Sequence, residues 1–489
     1  MLPLFIYSHP PYKELFSMDQ TLHYISLYVQ YGIIFYAIFL MSSYLILSVI
    51  SIQALYKYLR IAEYTDHKDL LPSDISPKIS LLAPAYNEGL TIVENIRSLL
   101  SLHYSDFEVI IINDGSKDDT LIKAIEAYKM VPTDFIVSSD IPCKAIRTVY
   151  KSSLPEFSNL LLVDKLNGGK ADALNTGVNV STADYITCID VDCILEQDSL
   201  LKLVKPFIDS EKRVIATGGV IRIINSCEIK NGSITQINVP KNLIARMQVL
   251  EYLRAFLLGR MAWGNLSGLL IISGAFGMFD KEIVKAVGGY DSTTVGEDME
   301  LVVRMRRYMV EKEIPYCVKF IPDPLCWTEA PENTQILGRQ RNRWTRGTVE
   351  TLWLHRKMFF NPKYGIMGLL SYPYWFFFEF LAPILEFIGI AWMIFATIFN
   401  LVNWPYFIAI TACVYTFAVM LSMLAILAEE ITFYQYKNSR DIWKLVGAGL
   451  MEPFLYHPFL VWSAMKGHVD KIKGKKSWGE MTRVGLKST

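Results

Sequence analysis

Hydrophobic and polar positions change rhythm twice along this chain, and each change marks a different kind of structure. Residues 24–56 hold no Asp, Glu, Lys or Arg, which exceeds the roughly 20 residues a membrane-spanning helix needs. The stretch is too long for a signal-peptide core and lacks a basic leader. Lys57 and Arg60 follow at once, so the positive-inside rule puts this end of the span on the cytoplasmic side. Residues 66–77 are polar and proline-flanked and read as a linker, while 1–20 carry no assignable pattern.

Short apolar runs then alternate with helical spacing. Lys78 to Glu88 is a strand running into a loop, 91–102 a helix, Glu108 to Ser116 a second strand and 118–128 a helix. Residues 145–149 suggest a third strand, and 160–163 lead into Asp164–Asp172 before a helix over 173–180. Tyr185 to Asp192 reads as one buried strand closed by two carboxylates, with Cys193-Ile194-Leu195 resuming behind them. Such alternation predicts an α/β fold with a mostly parallel sheet and right-handed crossovers. Residues 214–224 add a strand. Residues 240–261 mix charges with apolar residues at helical spacing, either packing on the sheet or lying at a membrane surface. Ser273 to Gly277 is a small-residue turn after an apolar strand. A short helix over 281–287 stops at Gly288-Gly289, and Gly296-Glu297-Asp298 opens a helix to about 310.

Residues 333–358 form an amphipathic helix with Gln340, Arg343, Trp344 and Gly347 on one face. A face pairing a guanidinium with an indole suits a pyrophosphate and a sugar ring. The alternative is a surface helix whose Arg339, Arg341, Arg343 and Arg346 reach lipid headgroups. Beyond residue 366 the pattern belongs to a bilayer. Residues 366–380 suggest an interfacial helix broken by Pro373, and spans are expected near 382–399 and 406–428. Residues 443–466, apolar around Glu452-Pro453, either cross once or re-enter. The tail carries seven Lys/Arg from Lys466 to Lys487 against Asp470 and Glu480. That bias favours re-entrance or an even number of crossings. The expected domains are thus 1–23, a span over 24–56, a linker over 57–77, a catalytic domain over 78–332, interfacial helices over 333–380, C-terminal spans over 381–466 and a basic cytoplasmic tail over 467–489.

Composition sharpens this reading in two respects. A 52% hydrophobic content with 13% aromatics fits membrane segments attached to a soluble part. Lys+Arg and Asp+Glu balance at 48 each, so no global charge points to nucleic acid. Seven cysteines without a Cys-x-x-Cys pair suggest neither a zinc site nor a disulfide framework.

Candidate chemistry lies at the strand tips. Glu88, Asp114 and the pair Asp190/Asp192 end three apolar runs, at the edge where open α/β sheets bind ligands. Two aspartates one residue apart suit a hard divalent cation completed by substrate phosphates. On local grounds Glu297 and Asp298 are ordinary acids complementing a helix dipole. Glu379, Glu386 and Glu452 lie in or beside apolar stretches, where a carboxylate needs a polar cavity or a partner.

In this order the motifs Ala85-Tyr86-Asn87-Glu88, Asn113-Asp114-Gly115-Ser116, Gly169-Lys170-Ala171-Asp172-Ala173-Leu174-Asn175, Asp190-Val191-Asp192, Ser273-Gly274-Ala275-Phe276-Gly277, Gly296-Glu297-Asp298 and Gln340-Arg341-Asn342-Arg343-Trp344 resemble the processive, membrane-embedded glycosyltransferases of family 2. Glu251-Tyr252-Leu253-Arg254, Gly259-Arg260 and the late Trp478 and Arg483 look most like the bacterial poly-β-1,6-N-acetylglucosamine synthases; cellulose, chitin and hyaluronan synthases are further relatives. The resemblance implies a GT-A catalytic domain set between N- and C-terminal transmembrane helices of a multi-pass inner-membrane protein, with the catalytic domain in the cytoplasm. It implies Asp298 as general base. Tyr86, Glu88, Asp114, Lys170, Asp172, Asp190, Gln340 and Arg343 would hold the nucleotide-sugar. Asp192 and Asp190 would bind Mg²⁺ or Mn²⁺, and Trp344, Gly274 and Glu297 would face the acceptor. Gly296 stands where many relatives have Thr.

The expected reaction is inverting, processive transfer from a UDP-sugar, UDP-N-acetylglucosamine favoured, to a growing β-linked glycan that also crosses the membrane. The expected partners are the UDP-sugar, the glycan and the bilayer, with room for a small accessory membrane subunit. Two other readings remain: transfer of a single sugar to a membrane lipid, and a transporter or scaffold with an inactive nucleotide domain. The whole reading expects Asp114, Asp192 and Asp298 to gather around one hollow roofed by the Trp344 helix.

Overall fold

The computed structural model describes residues 18–62, 76–230 and 232–475. The expected segment over 1–17, most of the linker, and Trp478 and Arg483 lie outside the described residues.

Among the described residues there are twelve strands: β1 (Ile79–Ala85), β2 (Phe107–Asn113), β3 (Met130–Thr133), β4 (Ile146–Ser152), β5 (Leu160–Lys165), β6 (Tyr185–Ile189), β7 (Ile194–Leu195), β8 (Arg213–Ile223), β9 (Glu228–Lys230), β10 (Ser233–Gln236), β11 (Phe276–Asp280) and β12 (Tyr316–Thr328). Ten of them make one sheet in the order β3-β4-β5-β2-β1-β6-β11-β8-β12-β7, and β9 pairs with β10 apart from it. The centre, β5-β2-β1-β6, is parallel, so four strand tips share one edge. Central strands are almost entirely buried, as expected when helices cover both faces. The architecture is α/β, a mostly parallel sheet in which β4, β7 and β11 run antiparallel to their neighbours.

Two local expectations fail for physical reasons, and one open choice is decided. The strand before Asp190 ends at Ile189: Cys193 N–H donates to the Asp190 carbonyl at 2.9 Å and turns the chain. The apolar residues behind the aspartates therefore belong to β7, which pairs with β12 at the far edge. Residues 269–272 make no strand. Ile272 instead lies over the sheet face at Gly218 and Gly277, whose missing side chains leave it room. Residues 240–261 pack inside the protein rather than lying along a membrane: helix Leu243–Leu253 runs through a π-helical stretch, Arg254–Arg260, into Met261–Asn265, against β8 and the helices that follow the sheet.

The N-terminal helix, Met18–Ala62, extends past the expected span at both ends and takes in Lys57 and Arg60, which had been assigned to the linker. Pro373 does not break the aromatic segment. It sits in a single helical turn, Tyr372–Trp375, flanked by π-helical turns Met367–Ser371 and Phe376–Phe380. Such turns absorb a missing backbone donor, and the path continues into Ala382–Ile398. Among the described residues, three helical runs are long and apolar enough to cross a membrane: Leu27–Arg60, Met367–Ile398 and Trp404–Thr432. The final segment is two helices, Ser439–Leu455 and His457–Ile472, meeting at Tyr456. A buried ion pair, Arg222 with Glu429, joins β8 to the Trp404–Thr432 helix.

Candidate active site

Parallel pairing sets the tips of β5, β2, β1 and β6 side by side, and loop chemistry then fixes what each presents. At the β1 tip, Asn87 takes a positive φ of 57°. Its side-chain oxygen accepts from Lys117 N–H at 2.8 Å, and its own N–H donates to Ser116 Oγ at 3.0 Å. These bonds tie the β1 loop to the β2 loop and leave Tyr86 exposed. At the β2 tip, Asp114 accepts from Gly168 N–H at 2.9 Å and from Gly169 N–H at 2.7 Å.

Lys165, at the β5 tip, was not anticipated. Fully buried, its ammonium donates to Asp114 Oδ1 at 2.8 Å and lies 2.5 Å from Asp172 Oδ1. Asp172 also accepts from Lys144 N–H at 3.1 Å. One lysine therefore neutralises two acids that shape the Gly168-Gly169 turn. The only hint in the sequence is a lysine ending an apolar strand one residue after an aspartate.

The β6 tip opens a second cluster. Lys170, at the start of helix Lys170–Val180, pairs with Asp190 and donates to the Gly274 carbonyl at 2.9 Å. Burial works against its charge, but Asp190, Glu297 and Asp298 hold its pKa above the ordinary lysine value. Asp298 Oδ2 accepts from Gly274 N–H at 2.9 Å. A side chain at 274 would meet that oxygen at 3.1 Å and Lys170 Nζ at 3.3 Å, so the turn needs glycine for this approach. Glu297 is buried, and desolvation, opposed by Lys170 and reinforced by Asp298, pushes its pKa up to about 7.

Ligand atoms of Asp190, Asp192 and Cys193 lie within 4.8 Å of one another. Cys193 faces Cys326, and this contact with burial holds its thiol well above its ordinary pKa. A hard divalent cation prefers oxygen donors to a thiol sulfur. The remaining donors, two carboxylates facing a cavity, fit a hard cation that takes further oxygens from phosphates.

Helix Thr334–Leu354 roofs the cluster, capped by the Asn333 side chain accepting from Ile336 N–H. It crosses the start of helix Glu297–Glu311 at a glycine contact: a Cβ on Gly347 would meet Gly296 Cα at 2.7 Å. That contact accounts for glycine at 296. Glu350 locks the crossing, accepting from Thr294 Oγ1 at 2.7 Å, Val295 N–H at 2.9 Å and Lys471 Nζ at 2.8 Å. Arg341 and Arg346 do not reach for headgroups; both are buried. Arg341 donates to Glu251, and Arg346 to the Lys475 carbonyl at 2.7 Å.

A cavity of about 1590 Å³ unites the site with the helices beyond it. Asp190, Asp192, Lys170, Gly274, Glu297, Asp298, Gln340, Arg343 and Trp344 all line it, as do Glu379, Glu386 and Glu452. Tyr86, Glu88, Asp114 and Asp172 are not in its wall. The expectation that Asp114, Asp192 and Asp298 share one hollow is therefore corrected for Asp114, whose carboxylate is engaged by Lys165 and the Gly168-Gly169 backbone. Glu452 accepts from Arg254 at 2.7 Å, and Glu386 lies 2.7 Å from His457.

A sheet edge lined with acids, a lysine among them and an arginine–tryptophan helix above define a class that the comparisons identify. The profile described as "Glycosyl transferase family group 2" matches residues 185–426, and "Glycosyl transferase family 2" matches 80–140. The chain belongs to the family 2 glycosyltransferases.

Among similar proteins is the poly-beta-1,6-N-acetyl-D-glucosamine synthase of Staphylococcus epidermidis, 30% identical over 276 residues, or 56% of this chain and 55% of that one. Its namesake from Staphylococcus aureus is 30% identical over 277 residues, again 56% and 55% of the two chains. The chain thus spans about half the length of the curated relatives it matches. A mannosyltransferase from Pyrobaculum calidifontis, solved with GDP-Man and Mn²⁺, aligns at TM-score 0.46 and 16% identity over 89% of this chain and 99% of its own.

Proposed function

We propose that the protein transfers a sugar, with inversion, from a UDP-sugar to a hydroxyl of a growing β-linked glycan, and that the donor is UDP-N-acetylglucosamine. The observation that carries this reading is the single cavity shared by Asp190, Asp192, Lys170, Asp298, Arg343 and Trp344. Likeness to the two synthases supports the choice of sugar and polymer.

Each residue has a distinct task. Asp192 and Asp190 would hold Mg²⁺ or Mn²⁺, which when bound neutralises charge on the departing diphosphate. Arg343 and Lys170 add fixed positive charge on the same side, where preorganised cations act without reorganisation. Asp298, held by Gly274 N–H, takes the proton of the attacking hydroxyl, a contribution of roughly 10²- to 10⁴-fold. Inversion then needs no covalent intermediate. Trp344 offers an apolar ring face to the acceptor sugar, with Gln340 beside the diphosphate. Tyr86 and Glu88, on the exposed β1 loop, receive the uridine, and Asp114 and Asp172 shape the turn that supports it.

In this reading the sheet lies in the cytoplasm. Lys57 and Arg60 end the first candidate span on that side, and two further candidate spans return the last helices to it. Glu379, Glu386 and Glu452 line the continuation of the cavity, along which the polymer would leave. The decisive experiment supplies purified full-length protein with a panel of UDP-sugars and Mn²⁺, measuring UDP release and the length and linkage of the product. UDP release with UDP-N-acetylglucosamine and a polymeric product is expected. Absence of turnover with every donor would remove the enzymatic reading, and a lipid bearing one sugar would remove the polymer.

A further inference from the structure

Trp344 does not stand alone on its helix. The Arg341 guanidinium lies over its ring, 4.0 Å from the centroid. Arg341 Nη2 donates to Glu251 Oε2 at 2.7 Å and to the Tyr456 hydroxyl at 3.1 Å. That hydroxyl donates in turn to the same Glu251 oxygen at 2.6 Å. Three side chains from three separate helices thus close a small triangle behind one indole.

Their locations give the triangle its meaning. Glu251 belongs to the helix leading into the π-helical stretch, Arg341 to the roof helix, and Tyr456 to the junction of the last two helices. Arg341 and Tyr456 are almost fully buried, whereas Trp344 is 40% exposed and lines the cavity with Glu251 and Arg341. Arg341 Nε and Nη1 make no hydrogen bond, so the guanidinium is oriented through Nη2 and through its face against the indole. A planar cation bonded at one edge and stacked on a ring fixes the tilt of that ring. It also occupies one indole face.

We propose that Arg341, Glu251 and Tyr456 are positioning residues for glycan binding, holding the Trp344 indole so that one face is presented to the acceptor sugar. The inference rests on the reading of Trp344 as an acceptor platform. It adds that the final helix junction, remote in sequence, sets the platform's orientation. Donor binding has no part in it, because the triangle touches none of Asp190, Asp192 or Lys170.

The test measures binding of a β-linked N-acetylglucosamine oligosaccharide to the full-length protein in detergent, by calorimetry without donor. Thermal unfolding and UDP affinity serve as checks on folding. Trp344→Ala examines the platform itself. Arg341→Lys keeps the buried positive charge facing Glu251 but removes the planar stack, and Tyr456→Phe removes one hydroxyl. The double variant Arg341→Met with Glu251→Gln removes both charges together, so that neither is stranded. The expected result is wild-type UDP affinity throughout, with oligosaccharide affinity down about tenfold in Arg341→Lys and in the double variant, the size of a desolvated cation–π contact. Tyr456→Phe should fall between these and wild type. If Trp344→Ala weakens binding while Arg341→Lys and the double variant bind like wild type, the positioning role is overturned and the platform stands. If Trp344→Ala itself binds like wild type, the platform reading fails and this inference with it.

Discussion

The crossing of Gly296 and Gly347 offers the most direct test of how the roof helix serves the acids beneath it. Replacing Gly347 with Ala adds one methyl, which would sit 2.7 Å from Gly296 Cα and 3.0 Å from Gly296 N. Ordinary contact starts at 3.4 Å, so the two backbones must separate by 0.7 Å at the nearer atom, the difference between those distances. Neither atom belongs to a flexible side chain, and Glu350 pins the same crossing through Thr294, Val295 and Lys471. Overpacking of this kind costs roughly 1–3 kcal/mol. The larger effect falls on geometry, because the shift separates Arg343 and Trp344 from Asp298, and a displacement near 1 Å can cost about 100-fold in rate. Gly447→Ala is the matched control: nothing lies within 4 Å of its added methyl, and alanine favours the helix by about 1 kcal/mol. Glycan synthesis by both variants should be measured at a temperature where thermal unfolding shows each one folded. The expected outcome is a loss of one to two orders of magnitude in Gly347→Ala and none in Gly447→Ala. A folded Gly347→Ala protein working at wild-type rate would refute the argument that this close approach sets the site.

Asp298→Asn should lose transfer by at least about 100-fold with UDP affinity nearly intact, and wild-type turnover would remove Asp298 as the base. In Asp192→Ala, UDP binding should no longer respond to Mn²⁺ in calorimetry; a retained response would reject it as a ligand. Glu297, with a folded pKa of about 7 against an ordinary 4.5, contributes stability that is full below 4.5 and lost as pH rises through 7, on the order of 3 kcal/mol in all. Thermal scans from pH 5 to 8.5 should therefore show the wild type falling relative to Glu297→Gln, and parallel curves would contradict the raised pKa. Lys165→Met strands Asp114 and Asp172 without their shared cation and should destabilise by roughly 3–5 kcal/mol, with denaturant titration as the measure.

Elements whose apolar period was long or sharply ended were legible in the sequence. The parallel strands, the helix opening at Glu297 and the roof helix appear close to where spacing put them, because burial on a fixed face leaves a periodic trace. Strands β3, β7, β9, β10, β11 and β12 were missed. The first two are only four and two residues long, and β12 is bent by register shifts around its prolines. The acids of the cavity were readable as strand tips and one helix start, and the family motif singled out Asp298. What spacing could not reveal was which acids are already satisfied. Asp114 and Asp190 look alike in sequence, yet one is enclosed by backbone N–H groups and a buried lysine while the other faces the cavity. The alternative that sends Arg341 and Arg346 to lipid headgroups fails for the same reason, since only tertiary packing shows that the last helices cover them.

The ion pair between Arg222 and Glu429 bears on how the protein can be divided. Arg222 lies buried on β8, two strands in from one edge of the sheet, and its counter-charge is supplied by a helix long and apolar enough to cross a bilayer. Arg254 depends in the same manner on Glu452. Cutting the chain after the sheet would strip both arginines of their partners, so the sheet half is not a free-standing module. Its fold is completed by a helix long and apolar enough to cross a bilayer, which supplies the counter-charge of a buried arginine on the sheet.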